Sequence, residues 1–181
     1  WLLFGLGLLA ALVCAMLYSV STGEVSIALS DIPQILSSKE GMEYFVLTQI
    51  RMPRIVLAIA VGGSLGLTGS ILQGIYRNPL VEPYTLGISG GASLGVAIVI
   101  VLGLHAVSMI MLPLAGFVGA LATIFLVYTL SIRKGSLDIN RMLLIGVMIS
   151  FVASSAMMFL MSISTAEDLH SIVFWIMGSL D

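Results

Sequence analysis

Residues 51–95 read RMPRIVLAIAVGGSLGLTGSILQGIYRNPLVEPYTLGISGGASLG. Arg51 and Arg54 precede an uncharged run from Ile55 to Tyr76, which is 22 residues long. An α-helix of that length crosses the hydrocarbon core of a bilayer. A short polar segment, Arg77–Pro83, separates this run from a second apolar run. The stretch therefore predicts two membrane-spanning helices joined by a tight loop.

The composition of the whole chain supports a membrane protein. The sequence is 59% hydrophobic and 9% charged, whereas about a quarter of the residues of a soluble domain are charged. A net charge of −2 provides no basic field for nucleic acid. The single cysteine, Cys14, excludes a disulfide within this sequence and a cysteine-based metal cluster.

Charge-free runs elsewhere in the chain predict further spans. Trp1–Val20 is interpreted as a retained helix, because no basic region precedes it as in a signal peptide. Residues 83–132 lack Asp, Glu, Lys and Arg, and we divide them into spans near 85–103 and 108–131. Met142–Ala166 is a fifth run. The fold class is therefore an all-α, polytopic transmembrane bundle with about five spans.

The polar segments between the runs predict the loops and the orientation. Within Ser21–Thr48 we expect a short interfacial helix that starts near Asp31, and residues 133–141 read as a polar loop. Five spans put basic residues on both sides of the membrane, and the positive-inside rule makes the more basic side cytoplasmic. The two sets are Lys39, Arg51 and Arg54 on the outer side, and Arg77, Arg133, Lys134 and Arg141 on the inner side. The protein is thus expected to be a multi-pass protein of the cell membrane.

Small residues recur at four-residue spacing on two of the predicted helices. This spacing places them on one helix face, where they allow another helix backbone to approach closely. The first set is expected to pack inside one subunit. The sets are Gly62, Gly66, Ser70 and Gly74 on one helix, and Gly87, Gly91 and Gly95 on the next.

The predicted spans contain little that suggests chemistry. An ion-coupled secondary transporter usually keeps Asp, Glu, Lys or Arg at mid-membrane depth, and these runs have none of them, although that alternative stays open. Gly87, Ser89 and Gly91 match G-x-S-x-G, which leaves an intramembrane serine enzyme as a weaker alternative. His105 lies 16 residues beyond Ser89, about 24 Å along a helix. We predict no catalytic residue and no metal site.

Five short patterns carry a family resemblance. They are R-x-P-R at 51–54, Q-G-x-x-R-N-P-L-x-x-P at 73–83, L-G-x-S-x-G-A at 86–92, R-K-G-S-L-D-x-x-R-x-L-L-x-G-V at 133–147, and F-W-x-M-G-S-L at 174–180. Together they resemble the permease subunits of type II ABC importers, the FecCD/BtuC-like family. The resemblance covers nearly the whole chain. It implies that residues 1–181 are one transmembrane permease domain, the N-terminal half of a chain of about ten spans.

The resemblance also implies a function and partners. It implies a permease subunit of an ATP-driven importer for an iron-siderophore, haem or cobalamin, and not an enzyme. The implied partners are ATP-binding cassette subunits, an extracytoplasmic binding protein and a second permease copy in a homodimer, with the bilayer around them and no nucleic acid. ATP and Mg²⁺ would sit on the ATPase, because this sequence has no phosphate-binding loop of the G-x-x-x-x-G-K-[ST] type and no cofactor of its own is expected.

Residue roles follow from the matched motifs. Asn78, Pro79 and Leu80 match positions at the family's inner constriction. The segment with Leu137, Asp138 and Asn140 is predicted on the same side, and we expect these six residues to form a cytoplasmic gate. Arg51 and Arg54 match the arginines that meet acidic residues of the binding protein, and they are expected to dock it at the outer mouth.

Overall fold

A computed structural model describes residues 1–108, 110–133 and 135–179. Met109, Lys134, Leu180 and Asp181 lie outside the described residues. So do the parts of the predictions that fall on them, namely Lys134 in the count of inner basic residues and Leu180 in the last motif. The chain divides into two compact units, Trp1–Ser64 and Leu65–Ser179.

Helices account for most of both units. The first unit contains α1 (Leu2–Ser21), α2 (Ile32–Ser38), α3 (Met42–Phe45), a π-helix (Val46–Arg51) and the start of α4 (Met52–Tyr76). The second contains the end of α4, a 3₁₀ turn (Pro83–Leu86), α5 (Ile88–Val101), a 3₁₀ turn (Leu104–Ala106), α6 (Met111–Ser131), β1 (Ile132–Arg133), β2 (Ser136–Leu137), α7 (Ile139–Ile163) and α8 (Ala166–Met177).

The all-α membrane fold class is confirmed. Within the described ranges, four helices are long and apolar enough to cross a membrane: Leu2–Ser21, Met42–Tyr76, Met111–Ser131 and Ile139–Ile163. The span predicted at 85–103 is shorter than expected. Helix α5 has 14 residues, about 21 Å of helix against a hydrocarbon core of about 30 Å.

Two glycines set the limits of α5. Gly87 and Gly103 precede and follow it with left-handed φ values of 77° and 68°, which glycine adopts without a steric penalty. Each of them adjoins a 3₁₀ turn. The apolar run is therefore longer than the regular helix it contains.

The helix that carries Pro53 begins earlier than predicted. Helical backbone is continuous from Met42 to Tyr76, so Pro53 lies inside the helix and not in its first turn. Proline lacks the N–H that an α-helix requires at an interior position. The π-helix ends directly before it, where the N–H of Met52 donates to the carbonyl of Leu47, five residues back. The switch from α-helical bonds, which span four residues, to a π-helical bond, which spans five, therefore occurs next to Pro53. Pro53 has no N–H and cannot form an α-helical bond.

The short helix predicted near Asp31 is confirmed as α2. It begins at Ile32 with a proline in its first turn and ends at Ser38, and the next residue, Lys39, has a left-handed φ of 55°. The Asp31 carboxylate accepts a hydrogen bond from Ser30 Oγ at 2.9 Å and does not cap the helix. Ile35 of α2 packs with Ile27 and Leu47 to form the buried core of the first unit.

The predicted polar loop at 133–141 contains a short antiparallel hairpin. Ile132 pairs with Leu137 across β1 and β2. Asp138 follows at once as the N-cap of α7, so the loop passes directly from strand to helix.

Helix α5 is the centre of the second unit, and α6, α7 and α8 contact it. Its buried side chains Val96, Ala97 and Ile100 form a core with Ile172 of α8. Trp175 of α8 covers Gly116 of α6, where an added Cβ would lie 3.4 Å from the indole ring. Helix α5 is therefore enclosed by three neighbouring helices.

The glycines of α5 lie where neighbouring backbones approach it. A Cβ added at Gly87 would lie 2.7 Å from the carbonyl oxygen of Gly146 on α7. A Cβ added at Gly91 or Gly95 would lie 2.7 Å or 2.6 Å from carbonyl oxygens of α6, those of Gly119 and Ala115. Such approach requires residues without side chains, as the four-residue spacing predicted.

The first small-residue ridge has no close neighbour among the described residues, and its packing inside one subunit stays a prediction. Among the described residues, nothing lies within 4 Å of a Cβ added at Gly62, Gly66 or Gly74. Ser70 donates its hydroxyl to the carbonyl of Gly66 in its own helix. A neighbour within this chain was expected for the ridge, but the helices of the second unit converge on α5 instead, and the ridge is exposed.

Candidate functional site

Arg51 is buried, in contrast to the hydrated position predicted for a docking residue. Its side chain is 9% exposed. The guanidinium donates from Nη1 to the carbonyl of Val20 and from Nη2 to the carbonyl of Val25. Val20 lies in the last turn of α1, where carbonyls have no partner within the helix, and Val25 lies beyond the following turn. One side chain thus bonds both ends of that turn.

Gly23 makes room for the guanidinium. It lies between the two carbonyls in sequence, with a φ of 154°. A Cβ added there would be 2.5 Å from Arg51 Nη2 and 3.3 Å from Cζ. The sequence gives no signal of this contact, because a glycine in a polar segment predicts a turn and not a partner 28 residues later.

Arg54 has an exposed side chain three residues further along. It borders a cavity of about 450 Å³ whose lining also includes Glu24 and Arg51. Of the two predicted docking residues, Arg54 is therefore the one that presents its side chain at the surface. The docking role itself stays a prediction.

The loop after α4 is held by local hydrogen bonds. Asn78 Oδ1 accepts from the backbone N–H of Leu80 at 2.9 Å, and Gln73 Nε2 donates to the carbonyl of Pro79 at 3.1 Å. Arg77 turns the chain with a left-handed φ of 48°. Leu80 is 81% exposed, so the loop presents a large apolar side chain at the end of the helix.

The 3₁₀ turn that follows is fixed to α7. Val81 and Leu86 are buried, and Thr85 Oγ1 donates to the carbonyl of Glu82 at 2.6 Å. A Cβ added at Gly146 would lie 2.7 Å from the carbonyl oxygen of Thr85. The turn therefore rests on the backbone of α7.

Leu137, Asp138 and Asn140, the other predicted gate residues, are exposed at the start of α7. Asp138 Oδ1 accepts from the N–H of Arg141 at 3.1 Å, which caps the helix. Its own N–H donates to the carbonyl of Ser131 at 3.3 Å. Helix α7 thus connects the two predicted gate segments. Asp138 caps its start, and its residue Gly146 contacts the 3₁₀ turn that follows the Asn78 loop. The gate stays a prediction.

The residues of the serine-enzyme alternative lie apart. Ser89 is in the first turn of α5, and His105 is in the 3₁₀ turn beyond the other end of that helix. The His170 ring packs on Phe174 with ring centroids 4.3 Å apart. A nucleophile needs a base within hydrogen-bond reach, and Ser89 and His105 are at opposite ends of α5. Across the described parts of the chain, no group of three or more His, Cys, Asp and Glu residues is placed to hold a metal ion.

Comparison with known proteins agrees with the helices and loops described above. The model of the FecCD transport family matches residues 11–181. The chain belongs to the FecCD transport family. With four helices able to span among the residues that the structure describes, it is a multi-pass protein of the cell membrane.

Several curated proteins are similar over almost all of this chain. The molybdate import system permease MolB of Haemophilus influenzae is 37% identical over 98% of the chain and 53% of that protein. The hemin transport permease HmuU of Yersinia pestis is 36% identical over 96% of the chain and 52% of that protein. The vitamin B12 import permease BtuC of Salmonella arizonae is 39% identical over 98% of the chain and 51% of that protein.

A solved structure has the same fold. It is described as a metal-chelate type ABC transporter in an inward-facing conformation, and it matches with a TM-score of 0.82 and 36% sequence identity. The match covers 99% of this chain and 53% of that one. This FecCD chain thus spans about half the length of the relatives it matches.

Proposed function

We propose that this FecCD chain forms part of the membrane-spanning permease of an ATP-driven ABC importer that carries a metal chelate. The observation that carries the proposal is the match of 99% of the chain, at a TM-score of 0.82, to a metal-chelate type transporter. The relatives named above import hemin, vitamin B12 and molybdate. We propose an iron-siderophore, haem or cobalamin as the substrate class.

The energy source follows from what the spans contain. The predicted runs carry no Asp, Glu, Lys or Arg at mid-membrane depth, where ion-coupled carriers place the groups that bind their ions. We therefore propose that ATP and Mg²⁺ act on separate ATPase subunits. A second permease copy and an extracytoplasmic binding protein would complete the importer, and the chain itself would not be an enzyme.

The test is uptake by the full-length complex in proteoliposomes with its binding protein. Vanadate should abolish uptake and a protonophore should leave it intact. The opposite pattern would establish an ion-coupled carrier and end the proposal. The ligand retained by the purified binding protein, offered haem, cobalamin, a ferric siderophore and molybdate in turn, identifies the substrate. Retention of molybdate alone would contradict the metal-chelate class.

We propose that the loop with Asn78 and Leu80 acts as the inner gate. The exposure of Leu80 and the link of the adjoining 3₁₀ turn to α7 support this role. Substitution of both residues by Ala should raise the basal leak of substrate or uncouple ATP hydrolysis in the full-length complex. The control is Val107→Ala, which removes an exposed apolar side chain from another loop. Equal leak in both variants would contradict the gate.

A further inference from the structure

We propose that the first unit holds a site for one phospholipid between α1 and the start of α4. An acyl chain lies in an apolar cleft, and an ammonium of the headgroup lies at the carboxylate of Glu24. This inference goes beyond the importer function proposed above and does not depend on it. It requires that the chain spans a membrane, and it requires no new bond from Arg51 or Arg54.

The apolar half of the site is a cleft of about 210 Å³ between α1 and α4. Helix α1 contacts the π-helix that precedes α4, and the cleft lies next to this contact. Water finds few partners among apolar side chains, whereas a hydrocarbon chain gains free energy when such side chains bury it. Ser19 is the polar residue of the lining, and the other six are Leu12, Ala15, Met16, Ile55, Ala58 and Ile59.

The cleft lies at the depth of lipid chains. Ile55 begins the uncharged run of α4, and Ile59 lies four residues further along, about 6 Å on a helix. The hydrocarbon core of a bilayer is about 30 Å thick, so both residues lie in one leaflet, on the side predicted to be the outer one. The surrounding bilayer therefore brings acyl chains directly to the cleft.

The polar half of the site is the cavity of about 450 Å³, which adjoins the cleft because Ser19 lines both. Its lining includes the exposed side chain of Glu24 and the two arginines, Arg51 and Arg54. Arg51 already donates to two backbone carbonyls. A single ligand that fills both spaces must be apolar at one end and polar at the other, as a phospholipid is.

The charges of the polar cavity select the headgroup. Both signs of charge line this cavity, and complementarity favours a headgroup that also carries both signs. A primary ammonium has three N–H donors, and a hydrogen bond from an ammonium to a carboxylate is stronger than one between neutral groups. A choline headgroup has no N–H to donate. The ligand is therefore phosphatidylethanolamine, with its ammonium at Glu24.

Native mass spectrometry of the full-length protein, supplied with dioleoyl phosphatidylethanolamine in detergent, tests the cleft. Ala15→Phe and Ala58→Phe, one on each wall, should lower the amount of bound lipid about tenfold, because the ring excludes several methylenes from the cleft. Ala11→Phe is the matched control and should bind lipid as the wild type does. Ala11 is exposed on the same helix and is not part of the lining.

Competition between dioleoyl phosphatidylethanolamine and dioleoyl phosphatidylcholine tests the headgroup. The wild type should prefer the ethanolamine lipid about tenfold, the effect of one hydrogen bond to a charged group. Glu24→Gln should bring the binding of the two lipids close to equal. Glu40→Gln, which neutralises another exposed carboxylate of the same unit, should retain the preference.

Each outcome supports or overturns the site. Equal binding of lipid by Ala15→Phe, Ala58→Phe and Ala11→Phe would overturn the cleft as its location. If both cleft variants fail to assemble while Ala11→Phe assembles, protein fills the cleft in the full-length chain and the proposal fails. An unchanged preference in Glu24→Gln, or stronger retention of dioleoyl phosphatidylglycerol than of the ethanolamine lipid, would overturn the choice of headgroup.

Discussion

At the scale of single residues, the closest approaches in the second unit depend on missing side chains. Gly91 of α5 faces Gly119 and Thr123 of α6, and a Cβ added to Gly91 would overlap Thr123 Oγ1. Because one of the facing groups is the carbonyl of Gly119, no rotamer change can make room. The helices would have to move apart along a seam that continues to Gly95 and Ala115.

Gly91→Ala should therefore destabilise the full-length protein. Overpacking of a close-packed site costs about 1–3 kcal/mol, which should lower the thermal unfolding temperature in detergent. Gly7→Ala in α1 is the matched control, since nothing described lies within 4 Å of a Cβ there. Its unfolding temperature should stay at the wild-type value or rise slightly, because alanine favours a helix more than glycine does. Equal unfolding temperatures of the two variants would show that α5 and α6 are further apart at Gly91 in the assembled protein.

These residues also show what the sequence could predict. The four-residue spacing of Gly87, Gly91 and Gly95 was sufficient to predict a packing face. Their partners Gly119 and Gly146 were not predictable as partners, because each lies on another helix and the pairing depends on how the chain folds back. Arg51 is expected at the hydrated outer mouth because of its predicted side of the membrane and its match to the family motif. Its burial depends on the path of residues 20–27, which no local pattern specifies.

At the scale of elements, α7 connects the segments that were predicted to form the gate. Its N-terminus is capped by Asp138, whose carboxylate accepts the N–H of Arg141. Gly146, about two turns further on, supports the 3₁₀ turn after the Asn78 loop. A carboxylate at this position also interacts favourably with the positive end of the helix dipole. The start of α7 is therefore fixed by side-chain chemistry as well as by packing.

Loss of this cap gives the second stability prediction. Asp138→Ala should cost about 1 kcal/mol, the usual cost of replacing an N-cap by alanine, and should lower the unfolding temperature of the full-length protein. Asp138→Asn retains an acceptor and should stay close to the wild type. Thr165→Ala provides a comparison, since Thr165 caps α8 through the N–H of Asp168 at 3.2 Å. If Asp138→Asn is as unstable as Asp138→Ala, the charge matters and the cap does not.

At the scale of the whole molecule, the long helix α4 is the element whose surroundings differ most from the prediction. The sequence predicted its apolar run and its small-residue ridge, but not that continuous helical backbone begins at Met42 or that a π-helix precedes Pro53. Both features depend on how the preceding segment packs around Leu47. The ridge is open in the described chain, and this chain spans about half the length of its relatives. We propose that in the full-length importer the ridge packs against helices of the same subunit.

Two substitutions at the centre of the ridge test this packing in the full-length protein. In a background in which Cys14 and any other native cysteines are replaced by serine, Gly66→Cys should give little crosslinked dimer, because an internal ridge is remote from a second copy. Gly66→Trp should lower the unfolding temperature far more than Gly7→Trp in α1, since only the ridge would have a close neighbour to displace. Efficient dimers at Gly66 would place the ridge at the seam between copies. Equal losses from the two tryptophans would mean that lipid covers the ridge.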